Sequence, residues 1–165
     1  MKTQTIIFSF LTLCLYISKY NSEAMASGFP QSPDLTITTG KLCDQPVKHR
    51  YPENIAYCER DVTYQTKEIV INEYDQKKGY TISSLPRADF KIDHLIPLCA
   101  GGSNDVENLW PQHKSVYVKT DPIEPVLCEK MAMGRLKQAD AVRIIIEAKT
   151  FHEKIPTLSK YVNKL

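Results

Sequence analysis

Residues 92–112, IDHLIPLCAGGSNDVENLWPQ, constrain this chain more than any other segment. Asp93 and His94 fall in a run that reads as a β-strand, residues 95–99 prolong it with apolar side chains, and residues 100–105 are turn formers that include the pair Gly101-Gly102. Those residues tolerate positive φ, so the chain can reverse there and residues 108–110 can return as a second strand. The expected product is an antiparallel ribbon that carries Asn108 back toward His94. A buried Asn at that place can hydrogen-bond backbone on the opposing side, fixing the loop and through it the direction of the imidazole.

Adjacent positions on a strand face opposite ways or diverge at a bulge, so Asp93 and His94 suit two different tasks. A carboxylate is a hard oxygen ligand fit for Mg2+, whereas a neutral imidazole of ordinary pKa, about 6.5, can accept a proton from water near neutral pH. Hydrolysis of a phosphodiester needs both a group to activate water and positive charge on the phosphate and leaving oxygen.

With Asp93-His94, Ile96-Pro97-Leu98, Gly101-Gly102-Ser103-Asn104-Asp105 and Asn108-Leu109-Trp110-Pro111-Gln112 in unbroken order, the segment resembles the HNH endonuclease family and its ββα-metal motif. The resemblance runs from about residue 90 to residue 149 and implies an α+β fold: a ββα-metal core over residues 87–121 with flanking helices over 121–149. It further implies His94 as general base, Asp93 as ligand of Mg2+ or Mn2+, Asn108 as the residue that orders the motif, and nucleic acid, DNA or RNA, as substrate. One part of the pattern is unmatched. The family's helix ligand, a His or Asn about nine residues past the central Asn, would fall in Ser115-Val116-Tyr117-Val118, none of which is a normal Mg2+ ligand. His113 is the candidate in its place, against the alternative of a surface His or phosphate contact beside Lys114. Asp121 and Glu124 flank Pro122 as a helix-capping arrangement would, and are read as caps rather than ligands.

The N-terminus reads as an export signal over residues 1–26: Lys2, an apolar run over residues 6–17, and Ala24-Met25-Ala26 before cleavage, with Ala24 as the alternative cut. The run is short of the roughly 20 apolar residues a membrane span needs. Secretion or a periplasmic location without stable membrane insertion is therefore expected. Cys43, Cys58, Cys99 and Cys128 remain, an even count that suggests two disulfides in an oxidising compartment. Three connectivities are open, of which we favour Cys43 with Cys58 and Cys99 with Cys128; the second would tie the end of the Asp93-His94 strand to the helix after Asp121. Losing Lys2, Lys19 and Glu23 takes the formal charge from +2 to +1, too little for indiscriminate nucleic-acid binding by total charge.

Residues 27–40 read as an extended leader and 41–165 as one domain. Helices are predicted over residues 53–61, 66–74, 123–133 and 136–149, with Gly134 ending the third, and a strand near residues 80–83. In the last helix Ala139, Val142, Ile145 and Ile146 are expected to face the core, with Arg143 and Lys149 toward solvent and Trp110 beneath the helix pair. Beside the enzyme stands an alternative of another class: a catalytically inactive, disulfide-stabilised protein that binds nucleic acid or an envelope partner on the same scaffold.

Overall fold

The antiparallel ribbon pairs β3, Phe90–His94, with β4, Leu109–His113, in a register that sets Phe90 opposite His113, Asp93 opposite Trp110 and His94 opposite Leu109. The computed structural model describes residues 28–165; the expected signal over residues 1–26 lies outside the described residues. The fold is mixed helix and sheet with two small antiparallel sheets. The second sheet is a hairpin of β1, Lys48–Arg50, and β2, Ile55–Tyr57.

That hairpin replaces the helix expected over residues 53–61. Tyr51 and Asn54 adopt φ of 66° and 57°, and Asn54 N–H donates to Tyr51 O at 2.9 Å, so the chain reverses where a helix would have to start. Ile55 is then buried among the C-terminal helices, burial that a helix pattern does not anticipate. The strand expected near residues 80–83 is a 3-10 turn, Ile82–Ser84, because the Asp75 carboxylate takes the N–H groups of Ile82 and Ser83 at 2.8 and 3.0 Å.

Helix α1, Tyr64–Lys78, starts where the Thr63 hydroxyl accepts from Thr66 N–H and stops at Gly79, whose φ of 72° is the left-handed cap expected of glycine. It packs Val70, Ile71 and Tyr74 against Ile92, Leu109 and Trp110 of the ribbon. Trp110 therefore lies under α1, not under the C-terminal pair. Those helices are α3, Ile123–Ala132, α4, Gln138–Thr150, and α5, Ile155–Asn163; the short α2, Lys114–Thr120, leads into them. Leu127, Met131, Ile144, Ile145 and Val162 form a second apolar cluster.

The leader is not loose. Thr38 is fully buried, with its hydroxyl bonded to Tyr74 OH and to Leu109 O, while Cys43 N–H and Lys41 O bond the loop after β3 and Gly40 N–H donates to Glu107 O just before β4. Hydrogen bonding, to which an apolar count is blind, holds this segment in the fold.

Cys43 bonds Cys58 and Cys99 bonds Cys128, each with Cα atoms 5.8 Å apart. The two disulfides fit an oxidising compartment. No helix among the described residues is long and apolar enough to cross a membrane. The Cys99–Cys128 bridge spans 29 residues and joins the loop after β3 to α3. Replacing both of its cysteines with alanine is expected to lower unfolding free energy by about 3.5 kcal/mol, by the loop entropy that the link removes from the unfolded chain. Urea unfolding of the variant beside the wild type measures this, and an unchanged midpoint would contradict it.

Candidate functional site

β3 ends on the two side chains the sequence singled out, and both border one cleft of about 310 Å³. They diverge within it. His94 turns toward Arg60 and Asn104, and Asp93 toward the C-terminal helices.

The imidazole is held from both sides. Its Nε2 lies 3.0 Å from Asn104 Oδ1, and the Asn104 amide is oriented in turn by its Nδ2 donating to Glu59 O at 2.7 Å. An amide oxygen only accepts, so Nε2 carries the proton. Nδ1 lies 3.3 Å from Arg60 Nη1, a group that only donates, so Nδ1 presents its lone pair. Arg60 is itself anchored by Nη2 donating to Ile92 O at 2.9 Å. Burial pushes the His94 pKa down to about 4, and the Arg60 guanidinium adds to the effect against Asn104. At neutral pH this side chain is an uncharged base in one tautomer.

Asn108 sits at the heart of the loop. Its Oδ1 accepts from Ile96 N–H at 2.9 Å, while Nδ2 donates to Ile96 O at 3.0 Å and to Ser103 O at 2.9 Å. All three bonds are buried, so they close the loop over which Asn104 is presented to His94. The side chain touches neither Asp93 nor the imidazole by hydrogen bond; its part is structural.

Asp93 is 8% exposed and enters a charge cluster. Lys149 Nζ donates to Asp93 Oδ2 at 2.7 Å and to His94 O at 2.5 Å, and Lys91 Nζ lies 3.2 Å from Asp93 Oδ1. Glu124 Oε1 pairs with the same ammonium, 2.6 Å from Lys149 Nζ. Asp121 Oδ2 pairs with Lys91 at 2.7 Å while Asp121 Oδ1 is buried with no hydrogen-bond partner. Burial alone would raise Asp93, but Lys149 and Lys91 outweigh it and hold the carboxylate below its ordinary range. Glu124 goes the other way: burial raises it, and Lys149 offsets only part of that. Burial alone would lower Lys149, but Asp93 and Glu124 outweigh it and keep the ammonium charged.

Asp93, Asp121 and Glu124 each bring a carboxylate oxygen within 4.8 Å of the others. These are hard donors of the type that Mg2+ or Mn2+ takes, and one buried oxygen, Asp121 Oδ1, lacks a hydrogen bond, so the residues present fit such an ion.

His113 does not belong to this group. It pairs with Phe90 at the opposite end of the ribbon, stacks on the Phe29 ring at 4.0 Å, and caps α2 by accepting from Ser115 N–H at Nδ1. Its expected ligand role is corrected to a packing and capping one: strand register carries it away from Asp93. The capping reading of Asp121 and Glu124 is corrected in the opposite direction. Pro122 precedes α3 with no side-chain cap bond, and both carboxylates turn into the cluster.

Lys149, expected at the surface, is wholly buried. The inward stripe of α4 is Ala141, Ile144, Ile145, Ala148 and Lys149, rotated from the one expected, which included the exposed Ala139. Spacing of four from Ala141 through Ile145 to Lys149 was the available signal. Arg60 had none, lying in an irregular segment remote in sequence, and Asn104 read only as a turn former. Comparison of the chain with family models, curated proteins and solved structures finds no match.

Proposed function

We propose that this chain is a secreted or periplasmic endonuclease of the HNH, ββα-metal class that hydrolyses phosphodiester bonds in DNA. The observation that carries the reading is the state of His94: neutral, with Nε2–H engaged by Asn104 and the Nδ1 lone pair in a cleft beside a fixed guanidinium. A base for water and a cation for phosphate are thereby adjacent, the two functions that hydrolysis of a phosphodiester requires.

In the proposed reaction a phosphate enters between Arg60 and the end of β3. Arg60 bonds a non-bridging oxygen, for which its planar fork is suited, and loosens its 3.3 Å contact with Nδ1 as it does so. His94 Nδ1 takes the proton of a water that attacks phosphorus in line, the P–O3′ bond breaks, and solvent protonates the leaving oxygen. Asn104 stabilises the imidazolium formed in the step by accepting from Nε2–H throughout. Asp93, with Asp121 and Glu124, would hold the divalent cation, which when bound supplies positive charge for the phosphate and leaving oxygen.

Cleavage of supercoiled plasmid by the oxidised protein tests this. Nicking is expected with Mg2+ or Mn2+, with loss in excess chelator and a fall of at least about a hundredfold in Asp93→Asn. A folded wild type that is inert with every metal, yet retards DNA in a gel, would replace the nuclease by the binding protein on the same scaffold.

A further inference from the structure

The one wholly buried charge without a task in that reaction, among the described residues, is Lys149. Its side chain projects wholly buried from α4, and its Nζ meets three oxygens from two parts of the chain: Asp93 Oδ2, His94 O and Glu124 Oε1, at 2.7, 2.5 and 2.6 Å. A lysine kept only to neutralise Asp93 would need one carboxylate. This one sits between two and bonds the backbone of the catalytic histidine as well, so it links the tip of β3 to α3.

Charge balance sets how strongly the cluster attracts a further cation. It holds three carboxylates and two ammonium groups, Lys91 and Lys149. Lys91, 34% exposed, can swing into solvent when another cation arrives. Lys149 is 0% exposed and its stem is packed, so its charge stays close to the carboxylates whatever else binds there. Without it, Asp93 and Glu124 would face each other as like charges in a low-dielectric setting, an arrangement that a dication relieves.

We propose that Lys149 is the resident cation of this carboxylate cage, a positioning residue that holds Asp93 beside Glu124 before a divalent ion arrives and lowers the affinity of the cage for that ion. The inference rests on the reading that Asp93 helps to bind a divalent cation. It makes the proposed enzyme one whose metal occupancy tracks the divalent concentration around it instead of being permanent.

Calorimetric titration with Mn2+ of the oxidised, chelator-treated wild type, Asp93→Asn, Lys149→Gln and Lys149→Arg tests it, each variant first checked for native near-ultraviolet dichroism. The wild type is expected to bind weakly and through Asp93, Lys149→Gln at least roughly tenfold more tightly, and Lys149→Arg no more tightly than the wild type. Equal or weaker binding by Lys149→Gln, with Asp93→Asn still abolishing the wild-type signal, overturns the role of Lys149 and leaves the metal reading standing. Absence of binding in both the wild type and Lys149→Gln overturns the two together. Should Lys149→Gln not fold, 15N NMR of the wild-type lysine ammonium groups serves instead: saturating Mg2+ is expected to shift the buried signal and speed its exchange with solvent, and an unperturbed signal overturns the proposal.

Discussion

Replacing His94 with alanine is expected to lower plasmid cleavage by roughly a hundredfold to ten-thousandfold, the range that a positioned general base contributes. Mn2+ binding should survive, because the imidazole is not among the carboxylates that would hold the ion. Added imidazole should restore part of the rate, since the variant opens space beside Arg60 at a cleft that already reaches solvent. Activity within threefold or so of the wild type would remove His94 from the reaction, whatever the metal does.

The same side chain ties stability to pH. Folded His94 takes a proton only near pH 4, against about 6.5 for histidine in an unfolded chain. Above about 6.5 both states are neutral and its contribution to stability is fully present. As pH falls from there the unfolded chain binds the proton first, and stability is lost progressively until about pH 4. The loss attributable to this group is on the order of 3 kcal/mol. Urea midpoints in chelator at pH 7 and pH 4.5 should therefore differ less for His94→Gln than for the wild type, and parallel losses would show that the imidazole is not buried neutral.

The second large effect concerns the glycine pair. A Cβ on Gly102 would stand 1.8 Å from Ile96 O and 2.7 Å from Asn108 Nδ2. Ile96 O is backbone and already accepts from Asn108, so neither atom can retreat without breaking the buried amide bonds that close the loop. Gly102→Ala should cost at least about 3 kcal/mol. Gly134→Ala is the comparison: its φ is +69°, but its nearest neighbour, Pro52, leaves ordinary contact at 3.5 Å, so only the left-handed backbone cost of about 1–2 kcal/mol applies. Denaturation of the two variants side by side should rank them in that order, and a Gly102→Ala protein as stable as Gly134→Ala would mean that the loop is not closed as described.

What could be read from the residues was what the local chain determines. The ribbon, the turn at Gly101-Gly102, the helix that became α1 and the break at Gly134 all arise from patterns a few residues long. Asn108 was legible for the same reason, since its partners Ile96 and Ser103 are close in sequence. Arg60 and Glu124 were not, because each reaches the site only when separate elements dock; for Lys149 the four-residue spacing with Ala141 and Ile145 marks the inward face, but not the carboxylates it meets there. His113 shows the converse error: proximity in sequence to Asn108 suggested a ligand, while an extended strand moves successive residues steadily away from the site. Ile55 was missed because a three-residue strand with one buried side chain carries too little periodicity to compete with a helical reading of its neighbours.

Lys149 reaches Asp93 across 56 positions of chain, and Arg60 reaches His94 across 34. On a newly made chain, before α4 has closed over the ribbon, Asp93 and His94 are two neighbouring residues in a flexible polymer, without the guanidinium, the fixed tautomer or the assembled carboxylates. For the nuclease proposed above, activity toward any nucleic acid would therefore begin only once the separate elements have docked.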